Sequence, residues 1–432
     1  MRDLTSGSIT RHIVTLTAPL ALGMVFQTLY HFVDLYFVAA LGEAAVAGVS
    51  AAGNAIFVVF AATQTLGVGT VALISQAVGR QDQQGSNLVF NQALGLAMLS
   101  GLATVMAGVV VTVPYMRAVT ADEATVQAAV TYLLWFAPGL ALQFVMVVMA
   151  SALRGTGIVN LPIVVQVFTL VLNALLAPLL IAGWGGGQAL GIAGAGLASS
   201  ISIGVGSVLL CFYFVRLERY VTVVGGLLRP RLEVCRRLLQ IGLPSGGEFL
   251  LIFAYNSITY WAIRGFGPAA QAGFGVGSRV MQGVFVPALA IAFATAPIAG
   301  QNFGAGRYVR VRGTFKRAVA LISVVMMALT VLCHWDAEWL VRPFSRDPEV
   351  LRVGLLFLHL ISWNFVAQGI IFTCSSMFQG LGNTLPSIAS SGARLFTYAL
   401  PAAWFSLQPF FRLEYLWYWS IVTTRAIVSK VQ

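Results

Sequence analysis

Runs of about 20 predominantly apolar residues recur along the whole chain, separated by short polar breaks. A helix of that length, at about 1.5 Å per residue, spans the roughly 30 Å hydrocarbon core of a bilayer. Backbone N–H and C=O groups find no water there, so only helices and closed barrels can cross. A barrel would show short alternating segments, and these runs do not alternate. Only 9% of the 432 residues are charged, against 58% hydrophobic, and mean hydropathy is +0.86. A soluble domain carries about 25% charged residues. The expected fold class is therefore an all-α polytopic membrane protein. The opening "MRDLTSGSITRH" runs into a full-length helix without a small-residue cleavage site, so no cleavable signal peptide is expected.

The apolar pattern predicts twelve helices, at 13–38, 50–76, 88–115, 126–152, 160–183, 191–215, 237–263, 275–299, 314–334, 350–378, 386–406 and 413–432. The net charge of +11 is unevenly spread over their loops. Arg2, Arg11, Arg80 and Arg154, the block from Arg216 to Arg237, and Arg307 to Arg317 all fall on one side. The opposite loops hold Arg117, Arg264, Arg342, Arg346, Arg352 and Arg412, offset by acids such as Asp122, Glu123, Asp347 and Glu349. The positive-inside rule then places both termini in the cytoplasm, with the chain in the inner membrane. This charge is a topology signal, and no nucleic-acid partner is expected.

Sliding the chain against itself exposes a repeat at an offset of 225 residues. Pro19 falls on Pro244, and "LGEAAVAGVS" on "FGPAAQAGFG". "SQAVGRQ" falls on "GQNFGAG", matching Gln76 with Gln301 and Gly79 with Gly304, and "RGTG" falls on "QGLG". The chain thus reads as two six-helix lobes: 1–215, a cytoplasmic basic linker at 216–237, and 238–432 with a short last helix. Six helices per lobe make the repeat parallel, about an axis along the membrane normal. Paired lobes with a cleft between them are a transporter architecture, in which rocking exposes the cleft to alternate sides.

Most acids lie in loops, but Asp34 and Glu248 fall within spans. A charge at mid-bilayer costs roughly 2.5–3.5 kcal/mol on insertion scales, so such an acid points to function. Gln27, Tyr30, His31 and Asp34 step by three or four and share one helical face. Glu248, Tyr255 and Thr259 share a face in the second lobe, where Tyr255 is the repeat mate of Tyr30. Asp34 instead falls on Thr259 and Glu248 on Gly23, so the acids are not duplicated and the lobes are expected to have specialised. Pro19 interrupts the first helix and is the expected hinge for a response to protonation at Asp34. Arg394, in "SSGARLFTYALP", is expected to snorkel or to cap carbonyls. The four cysteines show no metal or disulfide spacing and read as small apolar fillers. Four dispersed histidines and the absence of HExxH or paired acids exclude an enzyme active site.

Over essentially its whole length the sequence resembles the multidrug and toxic compound extrusion (MATE) family. The resemblance rests on "APLALGMVFQTLYHFVDLYFVAALG", "SQAVGRQD", "ALRGTGIVNLP", "IGLPSGGE", "GQNFGAGR" and "FQGLGNTLPS", in that order. It implies two six-helix lobes exporting amphipathic organic cations in exchange for H⁺ or Na⁺. Carried over by residue, Asp34 is the helix-1 acid, Pro19 the helix-1 proline, and Gln27 and Tyr30 line the cavity with Glu248 and Tyr255. In "NALLAPLLI", Asn173, Leu176 and Pro178 match the family pattern, but Ala177 replaces its aspartate. Ser199 stands at the helix-6 hydroxyl position. A second family acid is missing from "FLHLISWNFVAQGIIF". With one carboxylate, Na⁺ would rely on Asp34, Asn173 and Ser199, a weak ligand set, whereas a proton needs one acid. The coupling ion is therefore read as H⁺ ahead of Na⁺, with no resident metal or cofactor. The expected partners are small organic cations and lipid, and the expected state is a monomer. A flippase for a lipid-linked precursor on a related two-lobe fold is the alternative, and it would need a more cationic cavity.

Overall fold

A computed structural model describes the chain except residues 121, 185–187, 219, 409–411 and 432, and the side chains of 30–35 and 427–431. The first nine long helices are α1 (Ile9–Ala39), α2 (Glu43–Gly79), α3 (Gln83–Val119), α4 (Glu123–Gly155), α5 (Asn160–Ala182), α6 (Ile192–Arg216), α7 (Leu232–Ile263), α8 (Pro268–Gly304) and α9 (Tyr308–Trp335). After a short helix, Ala337–Val341, come α10 (Pro348–Leu381), α11 (residues 385–405) and α12 (Leu413–Val431). No strand occurs among the described residues. Ten of the helices are long and apolar enough to cross a membrane, counting described residues.

Several helices run beyond the predicted limits because loop acids cap them. Asp82 accepts from the Gly85 amide at 2.7 Å, and Asp347 from the Glu349 amide at 2.9 Å, with Pro348 following in the first turn. Asp122 accepts from both the amide and the hydroxyl of Thr125, which hold its carboxyl below the usual carboxylate range. The hydrophobic walls of the helices face outward as a lipid-facing protein requires: Val110 of α3 is 72% exposed.

The helices pack as two compact units. The first comprises Met1–Ser6, Leu22–Gly246 and Gly300–Gly306; the second comprises Gly7–Ala21, Gly247–Ala299 and Arg307–Gln432. The boundaries in α1 and α7 fall two residues beyond Pro19 and Pro244, at equivalent points of the repeat. Proline removes one ladder donor and disfavours a straight helix, so each helix changes packing partners where its own ladder is weakest.

The 225-residue repeat reappears contact by contact. A Cβ on Gly48 would meet the Ala128 Cβ at 2.7 Å and the Thr125 oxygen at 3.0 Å. A Cβ on Gly273 would meet the Val353 Cβ at 2.6 Å and the Val350 oxygen at 3.0 Å. Gly42 and Gly267, before α2 and α8, have φ of 104° and 91° with ψ near extended values. This conformation is open essentially to glycine alone. Within the first unit, Gly79 lies against the Gln301 carbonyl and Gly304 against the Gln76 carbonyl. The repeat-related ends of α2 and α8 thus meet backbone to backbone, each through the glycine of its own motif against the glutamine of the other's.

Residues 222–231 are fastened along α3 by amide side chains. The Thr222 amide donates to Asn87 Oδ1 at 2.7 Å, and the Val224 amide to Asn91 Oδ1 at 2.8 Å. Asn91 and Gln92 return bonds to the carbonyls of Thr222 and Arg229. In the second unit Trp417 of α12 is 1% exposed, stacked on Phe274 of α8 and edge-on to Phe357 of α10.

Gly42→Ala and Gly267→Ala are each expected to lower stability by about 1–3 kcal/mol, since both carry left-handed glycine geometry. Gly53→Ala, at an open position within α2, should be neutral or raise stability by up to about 1 kcal/mol. Thermal unfolding of the detergent-purified protein measures all three.

Candidate functional site

Among the described residues, each unit holds a polar cluster at the positions singled out in the sequence. In the first, Asn173 of α5 and Ser199 of α6 are fully buried, and Asn173 Nδ2 donates to Ser199 Oγ at 3.1 Å. Asn173 Oδ1 has no partner among the described residues. A buried acceptor left unmade costs about 1–3 kcal/mol, so this oxygen is available to a donor or a hard cation. Ala177, one turn on, is also fully buried and supplies no charge. The next hydroxyl, on Ser200, donates to the Trp135 carbonyl at 2.7 Å and accepts from the Gly139 amide at 3.1 Å. It has entered the α4 ladder beside Pro138, a recognised cause of helix bending. Asn173 and Ser199 are thus brought together. Asp34 and Tyr30 lie outside the described side chains, Gln27 is exposed on α1, and half-buried Pro19 lies inside that helix.

The second cluster is larger. Glu248 of α7 accepts from Ser375 of α10 at 3.0 and 3.2 Å, and from Ser391 of α11 at 3.4 Å. Glu248 lines a cavity of about 240 Å³ with Ile371, Cys374, Ser375, Phe378, Pro386, Ser387 and Ser390. The buried Ser387 hydroxyl has no partner there. No cation pairs with Glu248: the ion pairs found among the described residues all join loop or helix-end charges.

Tyr255, two turns along α7 from Glu248, is outside that cavity's lining and organises a separate group. Its ring stacks on Tyr398 at 4.9 Å, and the Arg394 guanidinium lies over it at 4.7 Å. Arg394 Nη1 donates to Gln368 Oε1 of α10 at 2.9 Å. Thr259 turns its hydroxyl back onto the Tyr255 carbonyl at 2.9 Å. The expectation that Arg394 snorkels or caps carbonyls is corrected here. Arg394 is the tenth residue of a helical run from 385 to 405, at mid-span, and its partners are a ring and an amide.

α11 is not regular. A π-helical turn, Leu395–Ala399, follows Arg394 and is succeeded by Pro401 in the next α-helical segment. Pro401 offers no N–H to the turn below, and the Thr397 carbonyl accepts instead from Trp419 Nε1 of α12 at 2.9 Å. Such single π turns occur frequently at functional sites. Sequence reasoning missed Gln368, Ser375, Ser391 and Tyr398. Its one available signal was that Arg394 sits about 15 Å along a membrane helix.

The fold and these clusters define a multi-pass membrane protein built on a duplicated helical unit with polar groups at mid-span. The MatE family profile matches residues 19–179 and again 244–405, the two copies of the repeat. The chain belongs to the MatE family. It is 26% identical over 387 residues to the probable multidrug resistance protein YpnP of Bacillus subtilis, covering 88% of this chain and 86% of that one. It is 25% identical over 418 residues to the probable multidrug resistance protein YoeA of the same organism, covering 95% and 90%. Its fold matches a solved outward-facing multidrug resistance MATE family transporter at a TM-score of 0.91 and 24% identity, over 99% and 95% of the two chains. The family is one of multidrug efflux transporters, so this chain is a transporter and not an enzyme.

Trp419→Phe is expected to cost about 1 kcal/mol by leaving the Thr397 carbonyl without a donor. In a Pro401→Ala background, where a backbone donor returns, the same change should cost less. A double-mutant cycle on thermal unfolding reads the coupling.

Proposed function

We propose that the chain is a secondary antiporter that exports amphipathic organic cations across the cytoplasmic membrane in exchange for protons. The reading is carried by one observation: the Asn173–Ser199 cluster offers neutral oxygens beside Ala177, where the family's second acid would stand. Na⁺ binding is favoured by several hard oxygens and by charge count, and this set is poor in charge. A proton requires one carboxyl, and Asp34 is the acid that the family resemblance assigns to this site.

The cycle begins with a cation held in the second unit at the Glu248 cavity, where a carboxylate and apolar walls complement an amphipathic cation. Protonation of Asp34 neutralises the first half's acid. Helix α1 then yields at Pro19, and the cargo is released as access alternates. The working unit is a single chain with both termini cytoplasmic.

Exchanging one proton for one monovalent cation moves no net charge. The pH gradient alone then drives export, about 1.4 kcal/mol per pH unit, and the membrane potential of about 2.3 kcal/mol per 100 mV contributes nothing. In proteoliposomes, efflux of a monovalent dye cation should follow an imposed pH step, ignore a potassium-diffusion potential, and be unchanged by a Na⁺ gradient. Asp34→Asn should abolish the response to the pH step while purified variant still binds the dye. Undiminished pH-driven efflux by Asp34→Asn would overturn the role given to this acid.

A further inference from the structure

We propose that Arg394, together with Tyr255 and Gln368, forms an anion-recognising subsite that takes a carboxylate or phosphate group. The inference accepts the export reading and widens its substrate class from simple cations to molecules carrying an anionic oxygen group.

Arg394 stands in the middle of the helical run 385–405 of a membrane chain, and a guanidinium at mid-bilayer costs roughly 2.5–3.5 kcal/mol on insertion scales. The usual remedy is a carboxylate, and none lies within ion-pair distance of Arg394 among the described residues. Glu248 comes as near as Ser391, one turn before Arg394 on α11, yet bonds the serines and not the guanidinium. What holds Arg394 is neutral: the Tyr255 ring beneath one face and the Gln368 Oε1 acceptor at Nη1. A ring beneath the guanidinium carbon and one acceptor at Nη1 brace the fork, and its other N–H groups have no hydrogen-bond partner among the described residues. That is the geometry in which Arg binds carboxylate or phosphate through two parallel bonds.

The surrounding helix supports the same assignment. The π turn beginning at Leu395 winds an extra residue into α11 directly after Arg394, and its Tyr398 stacks on Tyr255. Tyr398 is 1% exposed, so this stack is a rigid floor under the ring that carries the guanidinium. A side chain needed solely to pack would not require a guanidinium braced from two helices. Glu248 and Arg394 also present opposite, unpaired charges within one unit, which suits a cargo bearing both signs.

The test uses the purified full-length protein and a matched dye pair: a cationic xanthene with a free carboxylate, and its methyl ester. Binding is read by fluorescence anisotropy. Wild type is expected to bind the acid at least about tenfold more tightly than the ester, as for a charge-assisted bond. Arg394→Gln should erase this preference while leaving the ester's affinity within about twofold, and Arg394→Lys should restore part of it. Failure of wild type to prefer the acid, or parallel loss of both dyes in Arg394→Gln, overturns the subsite. A measurement free of variants guards against misfolding: benzoate should compete with the acid and benzamide should not, and the absence of benzoate competition also overturns it. Repeating the titration in phosphatidylcholine and phosphatidylglycerol nanodiscs separates two sources of the anion. Acid binding lost only in the anionic lipid assigns the subsite to a headgroup phosphate, and binding kept in both assigns it to a soluble carboxylate. The ester's pH-driven export does not depend on Arg394, so its loss in wild type would sink the export reading alone.

Discussion

Backbone hydrogen bonding without water governs this molecule more than any single side-chain contact. Each carbonyl inside the bilayer must find a donor within the protein, which forces the chain into helices and makes every irregularity a repair problem. The repairs can be read one by one. Where Pro401 withholds a donor, the Trp419 indole reaches across from α12 to the Thr397 carbonyl. Where α4 bends at Pro138, the Ser200 hydroxyl enters the ladder and serves both Trp135 and Gly139. These repairs draw polar side chains to mid-span, beside the Asn173–Ser199 pair in one unit and the Arg394–Tyr255 pair in the other. Helix irregularity and candidate chemistry share an address for that physical reason.

Duplication supplies the scaffold, and departure from it supplies function. The repeat is preserved where a Cβ would collide with backbone, as at Gly48 and Gly273, or where φ is left-handed, as at Gly42 and Gly267. These positions admit one solution, and both copies use it. The repeat mates of the polar groups differ: Asp34 corresponds to Thr259, and Glu248 to Gly23. Gly23 packs against α5, where a Cβ would meet the Gln166 and Ile163 side chains at 3.1 and 3.2 Å. Thr259 folds its hydroxyl onto its own helix.

Much of this was legible beforehand because hydrophobic length and loop charge are local properties of a membrane chain. Twelve helices, the offset of 225 residues and the pairing of Gln76 with Gln301 all follow from residues read in order. What eluded the sequence depends on tertiary geometry. Helix ends were placed short, since an aspartate such as Asp122 looks like loop until its carboxylate is seen capping the Thr125 amide. Arg394 reads as an ordinary snorkelling side chain until the π turn and the Tyr255 ring fix it at mid-span. Ser375 and Ser391 are unremarkable in a helix and acquire meaning when Glu248 is found between them.

The two clusters also differ in what they ask of a ligand. The Asn173–Ser199 pair is sealed, neutral and short of one donor, which suits a small titrating group and excludes a bulky cargo. The second cluster contains a cavity beside Glu248 and, over Tyr255 two turns along α7, the Arg394 guanidinium of α11, which has no carboxylate partner among the described residues. Large organic molecules need apolar walls with a few fixed charges to orient them, and this cluster has both. A division of labour follows from that contrast. The cluster of the first unit suits a small group that completes one hydrogen bond, and that of the second suits a larger ligand with apolar and charged parts.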